Sequence, residues 1–512
     1  MKDLKESFII NRAVFSVICN IIRAAIGFLT AMLLARWLGP EGYGRLAFLV
    51  ASLLAVRGLV DMSTSQAFFT FLSQRPRSKK FINIFLQWII FQLIVSVVLT
   101  AFILPDSYID SIWQGEPRSL VVLALIAVFM QHQVYQVAFS MAEASRQTFR
   151  VQTLTLVITF SHLLFIIALW VWGQLLLPFI FGVLILEWTA ASFFAANMYV
   201  TSSENDSGDS IQSVSREFWK YCRPLIPYAW IGFFYVFFDR WLLQLWAGSE
   251  EQAFYAVAAQ ISAVCLIATA SILKIFWKEI AEAYERDDIV LIQYLYTKTS
   301  RILYVLSAIL IGAILPWAEE VLVLLVGASY SQGAVTFAIM LLFPLHQCLG
   351  QVCGAVFYAT EHTKILTNIG YVFMVVSMIV TYFLLAPTSS AVPGLGLQSN
   401  GLAIKMIIMQ FFQVTASAYI ITRLFKVKFD LLHQIIVLFL VLVLSFMSKY
   451  AISNVFLLNL VPEMIIATLC YLCSLIVILF SFPSLISSTR DEITTVGLDF
   501  FRKVKGTSLT LK

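Results

Sequence analysis

The sequence predicts an all-α polytopic membrane protein with about 14 transmembrane helices. Of its 512 residues, 60% are hydrophobic and only 12% are charged, and the mean hydropathy is +0.87. Soluble globular proteins are about 45–50% apolar and about 25% charged. No soluble fold can bury this much apolar surface, so lipid must be the solvent for most of the chain.

Fourteen apolar windows are long enough to cross the hydrocarbon core of a bilayer, which takes about 20 residues. They cover residues 8–35, 46–72, 81–104, 118–142, 151–173, 175–200, 222–247, 253–277, 301–326, 332–359, 364–387, 398–422, 430–451 and 456–482. The links between them are short, so we expect no large domain outside the membrane.

The distribution of lysine and arginine supports this count. Cytoplasmic loops of membrane proteins carry an excess of both residues. If the N-terminus is cytoplasmic, the windows place 26 of the 34 Lys and Arg residues on the cytoplasmic side, four outside and four within spans. One span more or fewer would invert the later loops and remove this asymmetry. We therefore expect both termini in the cytoplasm.

Two turns indicate an internal repeat. WLGPEGYGRLA at 37–47 and WAGSEEQAFYA at 246–256 share Trp, Gly, Glu and the final Ala at a constant offset of 209. The polar segment TSSENDSGDSIQSVSR at 201–216 lies between them and is typical of a flexible tether. Six spans per half is an even number, so both halves would have the same orientation in the membrane.

The predicted organisation is therefore two six-helix lobes in a parallel repeat, followed by two further helices. The N-lobe (helices 1–6) covers 1–200, the cytoplasmic tether 201–221, the C-lobe (helices 7–12) 222–422, helices 13 and 14 423–484, and a cytoplasmic tail 485–512.

Four short segments carry a resemblance to a known family. They are ARWLGPEGYGRLAF at 35–48, DMSTSQ at 61–66, DRWLLQLWAG at 239–248 and PGLGLQSNGLA at 393–403. Together with the layout, they resemble the polysaccharide transporter branch of the multidrug/oligosaccharidyl-lipid/polysaccharide exporter superfamily, and within it the O-antigen flippases of bacterial inner membranes. The resemblance implies alternating access and movement of undecaprenyl-pyrophosphate-linked repeat units to the outer leaflet, for O-antigen or a similar surface polysaccharide.

Charged residues inside the spans are the candidate functional residues. A Lys or Arg at the bilayer centre costs about 2.5–3.5 kcal/mol on insertion scales, so it should face water or protein. Four such cations are Arg23, Arg57, Arg240 and Lys405. Because Arg forms strong bidentate bonds to phosphate, we predict that these four line a substrate-binding cleft and attract a pyrophosphate.

Each cation also has a structural explanation. The polar stripe that contains Arg23 fits either a wet cavity wall or packing against a neighbouring helix. Asp61 lies one turn after Arg57 and could position it for an anion or simply neutralise it. Arg240 and Lys405 could instead extend to the lipid headgroups.

Five further residues are predicted to support the cleft: Asp61, Asp239, Tyr228, Tyr235 and Glu187. The two tyrosines share one stripe of the seventh span with Asp239, where they could stack on sugar rings or simply pack. Glu187 could neutralise Arg23 or Arg57, or carry a coupling proton. The mid-span histidines and the seven cysteines are interpreted as packing residues.

The sequence offers no signature of catalysis. It contains no Ser-His-Asp set, no metal-ligand spacing and no Gly-rich nucleotide loop, so we expect no enzymatic activity, metal or cofactor. An ion gradient or mass action would supply energy. A membrane enzyme such as an O-antigen polymerase would need a substantial outer loop, which the windows do not leave.

The expected partners are lipid-linked oligosaccharide, membrane lipid and polysaccharide polymerase machinery. The basic residues do not cluster on one soluble face, so no nucleic-acid partner is expected. Two alternatives remain open: a peptidoglycan-precursor flippase and a cation-coupled drug antiporter of the same superfamily. The cationic excess within the spans favours an anionic substrate over a cationic drug.

Overall fold

The fold is helical throughout the part of the chain that the structure describes. The computed structural model describes residues 2–74, 77–198, 210–427, 430–455 and 459–487. In these residues there are nineteen α-helices and no β-strand. The helices are α1 Lys2–Asp61, α2 Thr64–Gln74, α3 Lys79–Val98, α4 Asp106–Trp113, α5 Arg118–Phe129, α6 Tyr135–Ala144, α7 Thr148–Val171, α8 Leu177–Ala196, α9 Ile211–Cys222, α10 Ile226–Ala263, α11 Ile267–Glu285, α12 Ile289–Ile314, α13 Ala318–Val326, α14 Ala334–Met340, α15 Phe343–Ala359, α16 Thr363–Leu385, α17 Gln398–Phe425, α18 Leu431–Val455 and α19 Leu460–Ser481.

Eleven helical segments of the described residues are long and apolar enough to cross a membrane. They are Val14–Asp61, Lys79–Ile103, Arg118–Ala144, Thr148–Val171, Leu177–Ala196, Ile289–Val326, Ala328–Ala359, Thr363–Leu385, Gln398–Phe425, Leu431–Val455 and Leu460–Ser481. The all-helical, multi-pass membrane class is confirmed, whereas the number fourteen stays a prediction.

The difference from fourteen arises at two places. Windows 8–35 and 46–72 both fall largely on α1, whose 60 residues would extend about 90 Å if straight, three times the ~30 Å hydrocarbon core. Windows 222–247 and 253–277 fall on α10 and α11, which are not among the eleven segments. Charged residues in both helices, including Asp239 and Arg240 in α10, lower their hydropathy.

Two glycines bend long helices at matching positions. Gly39 bends α1 with φ 70° and ψ 175°, and Gly248 bends α10 with φ 81° and ψ −173°. Residues with a side chain rarely adopt such φ values, so both turns require glycine. The two positions are 209 apart, which is the offset of the predicted repeat. This agreement supports the repeat, while the division into lobes stays a prediction.

The two turns approach each other through the backbone. A Cβ atom added at Gly44 would lie 1.7 Å from the carbonyl oxygen of Ser249. The side chain of Gln244 donates a 2.9 Å hydrogen bond to the Ser249 hydroxyl. Nearby, the Trp241 indole donates a 3.0 Å hydrogen bond to the carbonyl of Ser111. The approach of the turns therefore depends on the missing side chain of Gly44.

The chain forms two compact units. Among the described residues, unit 1 comprises those of Met1–Val257, Leu325–Tyr330 and Met374–Leu402, and unit 2 comprises those of Ala258–Leu324, Ser331–Phe373 and Ala403–Lys512. Unit 1 has an aromatic core in which Phe68 stacks on Phe85 at a centroid distance of 4.1 Å. In unit 2, the Lys449 ammonium lies 4.1 Å from the Trp317 ring and bonds Glu320 at 2.7 Å.

An amphipathic helix, α9, packs against α2 and α3 within unit 1. Residues 201–209 of the predicted tether lie outside the described residues, and from Ile211 the rest of it is helical, not a flexible link. The guanidinium of Arg77 donates to both carboxylate oxygens of Glu217 on α9, at 2.9 and 2.6 Å. The same guanidinium lies over the rings of Phe71 and Phe81, at 5.2 and 4.6 Å. Arg77 thus fixes α9 to the link between α2 and α3.

We expect Gly44→Ala to destabilise the protein, because the new methyl group would overlap the Ser249 backbone. Overpacking of this kind costs about 1–3 kcal/mol. Gly27→Ala is the matched control, since nothing lies within 4 Å of a Cβ at that position of α1. Denaturant titration of the purified protein in detergent measures the difference. Equal unfolding free energies for the two variants would show that the turns do not make this contact.

We expect Arg77→Ala to loosen α9. Hydrogen bonds to charged groups contribute about 1.5–3 kcal/mol, so local opening of α9 should become about tenfold or more frequent. Maleimide labelling of Cys222, the buried last residue of α9, reports this opening in a variant whose other cysteines are replaced by alanine. Lys220→Ala, on the exposed side of α9, should leave the labelling rate unchanged. A similar rate in both variants would contradict the role of Arg77.

Candidate functional site

A polar cavity of about 430 Å³ lies within unit 1. The α1 end, the α1–α2 link, α2 and α6 form its walls. Its lining residues are Arg57, Asp61, Ser63, Ser65, Gln66, Phe69, Gln136, Phe139, Ser140 and Glu143. We call it the Arg57 cavity. Charged groups, neutral hydrogen-bonding groups and aromatic rings converge here, which is typical of a ligand site.

Gln133 positions the guanidinium of Arg57. The Arg57 Nε donates to the side-chain oxygen of Gln133. The amide nitrogen of Gln133 in turn donates to Asp61 at 2.7 Å and to the Ser65 hydroxyl at 3.0 Å. Gln133 is completely buried, so its amide has fixed partners on both sides. Gln133 therefore fixes the Nε side of the Arg57 guanidinium.

Asp61 organises the break between α1 and α2. Its Oδ1 accepts hydrogen bonds from the Thr64 hydroxyl at 3.1 Å, the Ser65 backbone N–H at 3.1 Å and the Ser65 hydroxyl at 2.6 Å. Met62 and Ser63 between them have positive φ values of 47° and 64°. Side chains of Asp and Ser that bond to nearby backbone stabilise such helix starts. The DMSTSQ segment is therefore a capped helix break.

The structure shows how Asp61 acts on Arg57. The two residues are one turn apart, and the sequence left open whether Asp61 positions Arg57 or simply neutralises it. Within the described residues no ion pair joins them, because Gln133 stands between the two side chains. Asp61 therefore acts on Arg57 through the amide of Gln133.

A π-helical turn brings Gln133 to this place. The turn covers Met130–Val134, between α5 and α6. One extra residue in a turn shifts the faces of the following helix, and such turns are frequent at functional sites. Here α6, which follows the turn, presents Gln136, Ser140 and Glu143 to the cavity.

Glu143 contributes an acceptor that has no donor. Its Oε1 is buried and has no hydrogen-bond partner among the described residues. A buried carboxylate oxygen without a donor is unfavourable by about 1–3 kcal/mol or more, so a ligand hydroxyl or a proton would relieve it. The cavity thus has one guanidinium and two carboxyl groups, whereas the sequence predicted a cleft with more cations than carboxylates.

Arg23 does not line the Arg57 cavity. It is half-buried on α1, and its guanidinium donates a 2.9 Å hydrogen bond to Asn20 one turn earlier. Within the described residues it forms no ion pair with a carboxylate. The polar stripe of α1 that contains Arg23 packs against α7 in its N-terminal part. There Arg12 donates a hydrogen bond to Thr148, and Gln152 donates one to Ser16 at 3.3 Å.

Arg240 is held within α10. Its guanidinium donates a 3.4 Å hydrogen bond to Gln252 and lies 4.6 Å from the centre of the Tyr255 ring. Both partners follow the Gly248 bend, so Arg240 joins the two arms of the bent helix. It therefore does not line the Arg57 cavity.

The remaining predicted residues lie elsewhere. Asp239 is buried and accepts a 2.7 Å hydrogen bond from Thr381. On the same stripe, Tyr235 is half-buried and Tyr228 is exposed. Lys405 belongs to unit 2 and is completely buried, with 0% of its surface exposed. Of the predicted site residues, the structure brings Arg57 and Asp61 together in the Arg57 cavity, and the wider cleft stays a prediction.

Glu187 pairs with a histidine. Its Oε2 lies 2.8 Å from Nδ1 of His162, and its side chain is 2% exposed. In the part of the chain that the structure describes, its other oxygen, Oε1, has no hydrogen-bond partner. Within the described residues Glu187 forms no ion pair with an arginine, so it does not neutralise Arg23 or Arg57 as the sequence suggested. A carboxyl–imidazole pair is a group that can hold a proton, and the coupling role stays a prediction.

With this geometry in place, comparison with known proteins is informative. The family of polysaccharide biosynthesis proteins matches residues 10–276, about half of the chain. The chain belongs to this family. The match confirms the resemblance to the polysaccharide transporter branch, while the narrower likeness to O-antigen flippases stays a proposal. No curated protein sequence matches the chain.

Several solved structures of other proteins share this fold. The lipid II flippase MurJ in an inward closed conformation superposes with a TM-score of 0.70 at 13% identity, over 93% of this chain and 100% of the other. An inward-facing MATE family multidrug resistance transporter of the MOP superfamily gives 0.61 at 14% identity, over 81% and 100%. A MOP superfamily transporter from Pyrococcus furiosus gives 0.50 at 15% identity, over 82% and 96%. At such identities the likeness establishes a shared fold.

Sequence reasoning missed Gln133 and Glu143. Both lie in QHQVYQVAFSMAEAS at 131–145, a polar run within an apolar span. The high density of hydrogen-bonding residues in that run is the sequence signal that could have identified Gln133 and Glu143. The π-turn that orients them has no comparable signal in the sequence. The described residues also hold no group of three or more His, Cys, Asp and Glu side chains suited to a metal.

We expect Gln133→Leu to destabilise the protein by about 1–3 kcal/mol, because it leaves buried hydrogen-bonding groups of Arg57 and Asp61 without this partner. Gln136→Leu is the control, since Gln136 lines the same cavity from α6 but is exposed, and it should stay within about 0.5 kcal/mol of wild type. Unfolding titrations in detergent measure both. A Gln133 variant as stable as the control would rule out the bridge.

Proposed function

We propose that this protein is a lipid-linked oligosaccharide flippase. In this proposal it moves undecaprenyl-pyrophosphate-linked repeat units from the cytoplasmic to the outer leaflet of a bacterial inner membrane by alternating access. The product would enter synthesis of O-antigen or a similar surface polysaccharide. The observation that carries the proposal is the Arg57 cavity in a multi-pass membrane protein of the polysaccharide biosynthesis family.

The lining of the Arg57 cavity suits a saccharide. Sugar hydroxyls both donate and accept hydrogen bonds, and the cavity offers donors and acceptors side by side. The unpartnered Oε1 of Glu143 can accept from a hydroxyl. Phe69 and Phe139 provide apolar rings beside these polar groups. A bare diphosphate would be repelled by the two carboxyl groups, so the sugars, not the diphosphate alone, fit this cavity.

Arg57 is the group suited to the phosphate end of the substrate. Its Nε is engaged by Gln133, which leaves the terminal nitrogens to face the cavity. Arg binds phosphate oxygens through two parallel hydrogen bonds, which a lysine cannot reproduce. Because Asp61 holds the Gln133 amide, the guanidinium is oriented before the substrate arrives, and little ordering cost remains for binding.

We expect Arg57→Ala to lower surface polysaccharide by at least about tenfold, because charge-assisted bonds contribute about 1.5–3 kcal/mol. Arg23→Ala should also lower export if the wider cleft forms during transport. Lysine at either position should restore export only in part. Immunoblots of surface polysaccharide measure export, with membrane levels of each variant as the reference.

Arg36→Ala is the matched control, since Arg36 lies exposed on the same helix at the outer turn. It should export normally. Normal export by both Arg57→Ala and Arg23→Ala, at normal protein levels, would remove the cationic-cleft assignment.

A gene deletion separates the proposed function from its alternatives. Loss of long-chain surface polysaccharide, restored by this chain, is the expected result. Unchanged polysaccharide with raised sensitivity to cationic drugs would indicate a drug antiporter. Lysis on depletion, with accumulation of peptidoglycan precursors, would indicate a peptidoglycan-precursor flippase.

A further inference from the structure

A second cavity in unit 1 is apolar and lies beneath α9. Its volume is about 430 Å³. Its walls come from the α1–α2 link, α2, α3, α9 and the start of α10. The lining residues are Met62, Thr64, Ile84, Phe85, Gln87, Trp88, Phe91, Ile211, Val214, Ser215, Phe218, Trp219, Cys222 and Ile226. Aromatic and aliphatic side chains predominate, and no charged residue lines it.

The two cavities adjoin the same helix break. Met62 and Thr64 line the apolar cavity, whereas Asp61, Ser63 and Ser65 line the Arg57 cavity. Alternate residues of one short segment therefore face alternate chambers. A molecule with a polar head and an apolar chain would find a matching chamber for each part on either side of this break.

The depth of the apolar cavity suits a lipid chain. Its α3 lining lies 5 to 12 residues beyond Lys79, the first residue of α3. This corresponds to about 8–18 Å along the helix, largely within the near half, about 15 Å deep, of a ~30 Å hydrocarbon core. In the proposed orientation that half is the cytoplasmic leaflet, where a lipid-linked substrate would be loaded.

We propose that the apolar cavity binds the first isoprene units of the substrate's polyisoprenyl chain while the saccharide occupies the Arg57 cavity. This inference rests on the proposed function. In the alternative arrangement, the whole polyisoprenyl chain would remain in bulk lipid. Burial of apolar groups stabilises binding in proportion to the area removed from water. Because the polar Arg57 cavity adjoins it, the apolar cavity suits the chain of a lipid-linked sugar better than that of an ordinary phospholipid.

Photocrosslinking tests the proposal. The full-length protein in phosphatidylethanolamine nanodiscs is labelled with farnesyl phosphate that carries a diazirine at the end of its chain. We expect crosslinks on the α3 segment 84–91 and the α9 segment 211–222. Unlabelled undecaprenyl phosphate should compete for them, and phosphatidylglycerol at the same concentration should not.

Two tryptophan variants, one that fills the apolar cavity and one that does not, provide a matched test of the proposal. Ser215→Trp places an indole at an exposed cavity-lining position of α9, whereas Gln212→Trp places one on α9 outside the cavity. Ser215→Trp should lower crosslink yield by about tenfold, the equivalent of about two buried methylene groups, and Gln212→Trp should not. Ser215→Glu gives a second variant, with the same expected loss, should the tryptophan variant fail to fold.

Three results would overturn the inference: crosslinks outside both segments, equal competition by phosphatidylglycerol, or equal yields in the Ser215 and Gln212 variants. Each is distinguishable from failure of the proposed function. If Arg57→Ala still abolishes export while the crosslinks fail, the flippase stands and the chain lies elsewhere. If crosslinks succeed while gene deletion leaves polysaccharide unchanged, the cavity binds polyisoprenyl lipid but the assigned pathway is wrong.

Discussion

One oxygen of Asp61 joins three helices of unit 1. It receives the amide of Gln133 and both hydrogen-bonding groups of Ser65, together with the Thr64 hydroxyl. In hydrocarbon every buried polar group must find its partner inside the protein, so this junction cannot be replaced by solvent. The end of α1, the start of α2 and the π-turn before α6 are consequently fixed relative to one another. The Arg57 cavity and the apolar cavity both take their shape from that junction.

Charged residues at the ends of the spans and within them are likewise joined over long sequence distances. Arg45 donates to both oxygens of Glu116 at 2.6 and 2.7 Å, and Arg301 pairs with Asp430. Glu187 pairs with a histidine of the adjacent helix. A charge inserted in a membrane segment is tolerated where another segment supplies its partner. These residues join helices, and Arg57 differs from Arg45 and Arg301 in that the uncharged amide of Gln133, not a carboxylate, receives its guanidinium.

Much of the fold follows from composition and local chemistry. Apolar windows locate helices because length and hydropathy are sufficient to specify a span, and Gly39 and Gly248 mark the bends because only glycine tolerates their backbone. The site was harder to predict. Arg57 and Asp61 are visible as charges in an apolar run, but Gln133 is 72 residues from Asp61 and is uncharged. Pairing across that distance depends on helix packing, which no local pattern encodes. The charge balance of the cavity was missed for the same reason, since Glu143 reaches it only through the fold.

The π-turn at Met130–Val134 sets the rotational register of everything that follows in its span. An α-helix advances about 100° per residue, so removing one residue from this turn would swing α6 by more than a quarter of a circle. Ser140 and Glu143 would then face a neighbouring helix or lipid, although composition and hydropathy would hardly change. A family member that lacks this single residue would insert equally well and expose different side chains to the cavity. Length at this one place is thus a means by which related sequences can diverge in chemistry while their membrane spans stay the same.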